Sequence, residues 1–337
     1  MDWKRAFQLA FIYVGTVVGA GFATGREIVE FFSKFGSLGI VGIAISGLCF
    51  IYFGSKMMLL TLKIRAKSYY QLNQYVFGPV FAPFVNVIMS IMLVGVTGVM
   101  LSGAGSLFEE QLQLSKLLGI FLTIFFGLIV LRVGTKGLVF VNMLVVPILI
   151  ICSLLLSIHS SQFPDFVERI KWMDSFNWQF IISALAYAGF NVTMVQAVLV
   201  PAALEIDDEK IVKLGGVIGG FILMLVLLSS HFTLVQLDDM VTFHIPMAVI
   251  VNKFAPSFFF LFIVMVYGEI FSSIIGNIFG LGRFIERSIN IHPFWIGFMI
   301  FFITFFISQI DYSVLLSALY PAFGYVSLFF LLLLFIK

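Results

Sequence analysis

The stretch Gly15–Glu27, "GTVVGAGFATGRE", decides how this chain is read. It follows the apolar "FQLAFIYV" and precedes "IVEFFSKFG", so it falls inside a run suited to crossing a bilayer. Yet it carries Gly15, Gly19, Gly21 and Gly25, followed by the charged pair Arg26 and Glu27. A spanning helix normally satisfies every backbone group within itself, because an unpaired N–H or C=O is costly in hydrocarbon. Glycine loosens that arrangement and lets a ligand approach the backbone. The stretch therefore predicts a first helix opened near mid-membrane, its freed groups facing protein, water or a solute. The same glycines also fit a plainer use, since Gly15-xxx-Gly19 has the spacing of close helix packing.

Working outward, the whole chain is built for lipid. Its 337 residues are 61% hydrophobic, 17% aromatic and only 11% charged, with a mean hydropathy of +1.13. A soluble domain of this length has too much exterior to cover with so few polar residues. The net charge of +2 comes from scattered basic residues, which leaves no footprint for nucleic acid. Cys49 and Cys152 both sit in apolar runs and read as small packing residues rather than a disulfide framework. The start, "MDWKRAFQLAFIYV", resembles a secretory signal, but its apolar character continues to Phe32 and many spans follow, so it reads as an uncleaved first helix.

Apolar periodicity predicts ten spans, near 5–33, 38–62, 80–107, 116–132, 137–159, 177–203, 211–235, 257–285, 292–309 and 312–336. The segment "KSYYQLNQYVFGPVF" before the third span suits the interface, and "LDDMVTFHIPMAVIVNKFAP" before the eighth suits a structured cap. Placing the N-terminus inside puts thirteen basic residues on cytoplasmic ends and five outside, with Arg26 within the first span. Ten spans then put both termini in the cytoplasm, in an all-α polytopic protein of the plasma membrane. The polar loop 160–176 divides the chain into 1–159 and 177–337, five spans each, and an odd number inverts the second half. The first span of that half carries its own interruption, "LAYAGFNVTM" (Leu185–Met194). Weakened helices at corresponding places in two halves point to a transporter's binding site.

Opening the first helix exposes carbonyls at Gly15 to Val18, which suit a cation, and N–H groups near Gly21, which suit a carboxylate. Gly15, Thr16, Gly19, Gly21, Tyr187, Gly189 and Asn191 are the candidate solute contacts. Gln196, Asn86, Ser90 and Thr97 are further polar candidates, although their spacings span more than one helix face. Such a neutral, aromatic cavity favours a small zwitterion or neutral polar solute. Arg26 and Glu27 lie beyond the glycines and are candidate gating residues.

"GTVVGAG" in the first span, "AYAGFN" in the sixth and the 5+5 layout resemble the amino acid–polyamine–organocation superfamily, whose architecture is the LeuT fold. Within it, "GTVVGAGFATGREIVEFF" is most similar to the YkvI-type bacterial membrane proteins. The resemblance implies discontinuous helices 1 and 6, a bacterial cell membrane and secondary transport by alternating access. It also implies a sodium site made from carbonyls of Gly15, Val18 and Glu269 and hydroxyls of Ser272 and Ser273, in the eighth-span sequence "VYGEIFSSIIGNIFGLGR". Relatives coupled to protons replace that ion with a fifth-helix lysine, whereas here the fifth span offers Asn142, with Lys136 at its end. Hydroxyls in spanning helices also bond back to carbonyls one turn earlier, so the serines have a structural alternative.

Glu269 keeps the coupling question open. A carboxylate at the bilayer centre is a functional candidate by default; it can carry protons, hold an ion or pair with Arg26. An enzyme is not expected: His159, His231, His244 and His292 fall at span ends or in the cap, and no hydrolase or metalloprotease motif occurs. The reading is a sodium-coupled transporter of an amino acid or related solute, without cofactors and of unassigned oligomeric state. The alternatives are proton coupling through Glu269, or a solute receptor or sensor that does not transport.

Overall fold

The computed structural model describes residues 2–133, 135–171, 176–243, 245–254, 256–285 and 293–337. His244, Arg287 and His292 lie outside the described residues, as do the side chains of Lys136, Asn142 and Arg283.

The first predicted span is built from three pieces: α1 (Trp3–Val17), the single turn α2 (Ala20–Ala23) and α3 (Arg26–Phe31). Val18 (φ −73°, ψ 122°) and Gly19 (φ −138°, ψ −163°) are extended and interrupt the helix where the glycines cluster. A second interruption lies at Gly25, whose φ of 83° is left-handed. A Cβ there would also come within 3.0 Å of Leu234, so glycine meets both a conformational and a spatial demand. The predicted opening of helix 1 is present, and it falls between Val17 and Ala20.

Two pieces, α4 (Ser37–Cys49) and α5 (Ser55–Ile64), form the second span through the π-helical turn Phe50–Gly54. Then follow α6 (Tyr69–Leu112), α7 (Lys116–Val133), α8 (Thr135–Ser160) and the short α9 (Phe166–Lys171) in the connecting loop. The second half holds α10 (Gln179–Ile206), α11 (Glu209–Leu234), the cap helix α12 (Pro246–Phe254), α13 (Phe259–Ile285), α14 (Pro293–Ile307) and α15 (Tyr312–Ile336). Among the described residues, eight helices are long and apolar enough to cross a bilayer. The remaining two predicted spans are the broken first helix and the 15-residue α14. At Gly78 (φ 79°, ψ 168°) α6 kinks, which separates Tyr69–Phe77 from the long apolar stretch that follows.

One expectation is overturned. The sixth span, α10, runs unbroken from Gln179 to Ile206, with no opening at Tyr187–Asn191. Asn191 Nδ2 donates to the Tyr187 carbonyl one turn back, at 3.0 Å. A Cβ on Gly189 would stand 3.3 Å from the Ser327 backbone, and one on Gly324 3.2 Å from Ala186. These glycines let α10 and α15 approach closely, so in this helix the small residues serve packing.

Around the break, α1 packs on α8, α10, α11 and α13, while α2 packs on α6 and α13. The opened turn is thus enclosed by helices from both halves of the chain. From the cap, the Met247 N–H donates to the Thr24 carbonyl at 3.0 Å, fastening α12 to the outer part of helix 1.

Candidate functional site

A helix ending at Val17 leaves its last carbonyls without partners in the next turn. Val14 is satisfied by the Val18 N–H at 2.8 Å. At Gly15 and Val18 the partners come from α13 instead. The Ser272 hydroxyl donates to the Gly15 carbonyl at 3.4 Å, and the Ser273 hydroxyl reaches the same carbonyl at 3.3 Å. Ser273 also donates to Val18. Both serines are buried. Two hydroxyls and two carbonyls expected together from distant parts of the chain therefore meet at the helix break. The alternative in which both hydroxyls only bond back within their own helix does not describe them.

Glu269 is fully buried one turn before Ser273, and neither carboxylate oxygen has a partner among the described residues. The ion pair with Arg26 considered from sequence is absent. Arg26 instead extends to the cap segment, donating from Nη1 to the carbonyls of Val241 and, at 3.1 Å, Phe243. Replacing Arg26 with glutamine will speed amide exchange across 241–247 by about tenfold, the equivalent of losing a charge-assisted hydrogen bond. Hydrogen–deuterium exchange with mass spectrometry reads this directly, and unchanged exchange would mean that Arg26 does not hold the cap.

Beside the break lies a small cavity lined by Thr16 and Val17 of α1, Glu27 of α3, Val96 and Met100 of α6, Phe190, Asn191 and Met194 of α10, Asn277 of α13 and Tyr320 of α15. Only about 10 Å³ is open to the centre of a water molecule, room for roughly one water. The cavity is too small for a solute of amino-acid size, which needs its lining side chains to move.

Several of the predicted solute contacts come together here. Thr16 and Asn191 line the cavity, although the Thr16 hydroxyl is committed to the Ile12 carbonyl at 2.6 Å. Gly19 lies against it, since a Cβ would meet the terminal methyl of Met100 at 2.2 Å. Gly21 makes room for Glu27, whose Oε2 would stand 2.6 Å from a Cβ there. Tyr187 sits behind the cavity, its ring packed on Phe31, Phe32 and Phe50. Gly189 faces α15 rather than the cavity.

The polar residues proposed from the third span point elsewhere. Asn86 accepts from Asn73 at 2.8 Å, Ser90 bonds Tyr69 and the Asn86 carbonyl, and Thr97 bonds back to Leu93. That helix lends the cavity apolar Val96 and Met100 instead. Gln196 is buried with neither end of its amide partnered, and does not line the cavity. Phe190, Asn277 and Tyr320 were not anticipated. Asn277 had a readable signal, because it follows Ser273 by four residues and so shares its helix face.

No protein-family model matches the chain. Its fold is shared with solved membrane transport proteins. The structure of MhsT in complex with L-phenylalanine superposes with a TM-score of 0.71 at 14% identity, covering 92% of this chain and 79% of that one. A Na+-coupled sialic acid symporter in its substrate-bound outward-open state gives a TM-score of 0.67 at 11% identity, covering 96% and 75%. These likenesses establish the fold, that of the LeuT class. The membrane protein YkvI of Bacillus subtilis is 45% identical over 326 residues, which is 97% of this chain and 94% of YkvI. The chain belongs to the YkvI family of membrane proteins.

Proposed function

We propose that this protein is a secondary active transporter of a small zwitterionic or neutral polar solute, an amino acid or a related compound, working by alternating access with sodium as the coupling ion. The observation that carries the reading is the meeting of Ser272 and Ser273 with the Gly15 and Val18 carbonyls at the broken first helix. Four neutral oxygens suit a weakly held hard cation, and a site shared by two packed elements makes ion occupancy sensitive to their relative movement. The Gly15 and Val18 carbonyls and the Ser272 and Ser273 hydroxyls would hold a sodium ion there, and its charge would tie α1 to α13. In this reading the chain crosses a bacterial plasma membrane ten times with both termini cytoplasmic, and residues 1–159 and 177–337 are inverted repeats. The amino acid held by MhsT and the sodium coupling of the sialic acid symporter support the same choice by analogy of fold.

A second reading has its own observation. The buried, unpartnered Glu269 carboxylate suits a proton carrier, which would make coupling proton-driven. Purified protein in proteoliposomes, loaded with pooled unlabelled amino acids and offered labelled ones, separates these readings. Saturable counterflow that an inward sodium gradient stimulates is the expected result. Stimulation by a proton gradient alone transfers coupling to Glu269, and binding without flux makes the protein a receptor.

A further inference from the structure

Glu27 is only 2% exposed, yet its Oε1 has no hydrogen-bond partner among the described residues. Its carboxylate lies beside the Tyr187 and Asn191 side chains, but outside hydrogen-bond geometry to the tyrosine, whose Oη is also left without a partner. Across the cavity the Tyr320 Oη is buried and unpartnered too. Asn277 offers its amide only to the Met100 sulfur, at 3.9 Å. A carboxylate buried in a low-dielectric site is stable as an anion only when a cation meets it, because a lone charge there is costly. The adjacent Arg26 forms no ion pair with it and turns its Nη1 to the Val241 and Phe243 carbonyls instead. Among the described residues, the ion pairs are Lys34–Glu30, Arg65–Asp207 and Arg169–Asp238, none of which includes Glu27.

The chain also makes specific room for this carboxylate. Glu27 Oε2 folds back over Gly21, where any larger residue would collide with it and with Leu316. A gate residue facing solvent would need no such space. We propose that Glu27 is the binding group for a protonated amine of the solute, and that Tyr320 and Asn191 flank that amine. The inference rests on the cavity being the solute site, and it narrows the solute class: a free ammonium group is required, and solutes carrying a hydroxyl or a hydrogen in its place are rejected. An ammonium supplies three N–H donors and one positive charge, which matches a carboxylate with a free oxygen among phenol and amide oxygens. The discrimination is large because an amine-free analogue leaves Glu27 buried and unpaired, whereas most other contacts survive.

The test uses the full-length protein in detergent and measures binding rather than flux. L-amino acids are compared with the matching 2-hydroxy acids, and primary amines such as ethanolamine and putrescine with the matching alcohols. Thermal shift and then calorimetry read each pair. Amines are expected to stabilise the protein, with the hydroxy partner binding roughly 10- to 100-fold more weakly. Glu27→Gln is expected to lose that preference while keeping a normal size-exclusion profile, because it preserves shape and removes a buried charge. Glu27→Asp, which retracts the carboxylate, is expected to retain part of it. Equal binding of amine and hydroxyl partners, an undiminished preference in Glu27→Gln, or no amine-dependent stabilisation anywhere in the panel overturns the proposal. Amine binding that depends on Glu27 without counterflow in proteoliposomes would retain it and reject transport, so the two readings fail separately.

Discussion

Gly19→Leu will abolish solute uptake in proteoliposomes while leaving the protein inserted and monodisperse. The space beside Gly19 is already filled, since a Cβ meets the Met100 methyl at 2.2 Å and the Ser273 hydroxyl at 3.4 Å. Met100 ends in a flexible thioether and can yield to one methyl group, so Gly19→Ala should fold and retain weakened uptake. Leucine needs several more carbons of space and takes it from a cavity of only about 10 Å³. Gly19 has φ and ψ open to any L-residue, so the loss comes from occupied volume rather than backbone strain. Gly21→Leu should be equally inactive for a different reason, because its side chain displaces Glu27 and Leu316. Uptake measured beside a fluorescence size-exclusion trace decides the matter. Wild-type activity in both leucine variants would show that solute does not approach this backbone.

Ser273→Ala is expected to have the next largest effect. Its hydroxyl touches both carbonyls at the break, Gly15 and Val18, and that of Ser272 touches the Gly15 carbonyl. Sodium activation should therefore weaken by about tenfold or more in Ser273→Ala and by less in Ser272→Ala, with the solute concentration for half-saturation little changed at saturating sodium. Glu269→Gln is the companion measurement. It preserves the backbone carbonyl and the side-chain shape but cannot titrate. Sodium-driven uptake that survives it assigns Glu269 a lesser role, and uptake lost together with any pH dependence makes Glu269 the coupling group. If both serine variants respond to sodium as the parent does, the hydroxyls only tie two helices together.

The legibility of this chain varied with the kind of signal each element carries. Four glycines and a charge pair inside an apolar run have few explanations, and the first helix is indeed broken there. A single glycine in "AYAGFN" looks the same whether a helix opens or packs, and only the Ser327 backbone against Gly189 distinguishes them. Polarity also misled in the third span, because Thr97 and Ser90 spend their hydroxyls on their own helix while Val96 and Met100 face the cavity. The inward turn of Glu27 was unreadable for a geometric reason. Helical periodicity carries a facing direction only while the helix lasts, and the left-handed Gly25 resets it just before α3.

The orphaned polar atoms around the cavity set a limit on how this protein can be improved. Glu27, Tyr187, Tyr320 and, further along α10, Gln196 hold buried groups that the protein itself does not satisfy. Each costs on the order of 1–3 kcal/mol, so replacing them with apolar residues of similar shape is a direct route to a hardier protein. Selection for heat resistance alone will accordingly drift toward variants that have filled or silenced the cavity. A thermostable form obtained that way is a good specimen for imaging the scaffold and a poor one for finding the ligand, whereas stabilising changes confined to α7 and α14 escape that conflict.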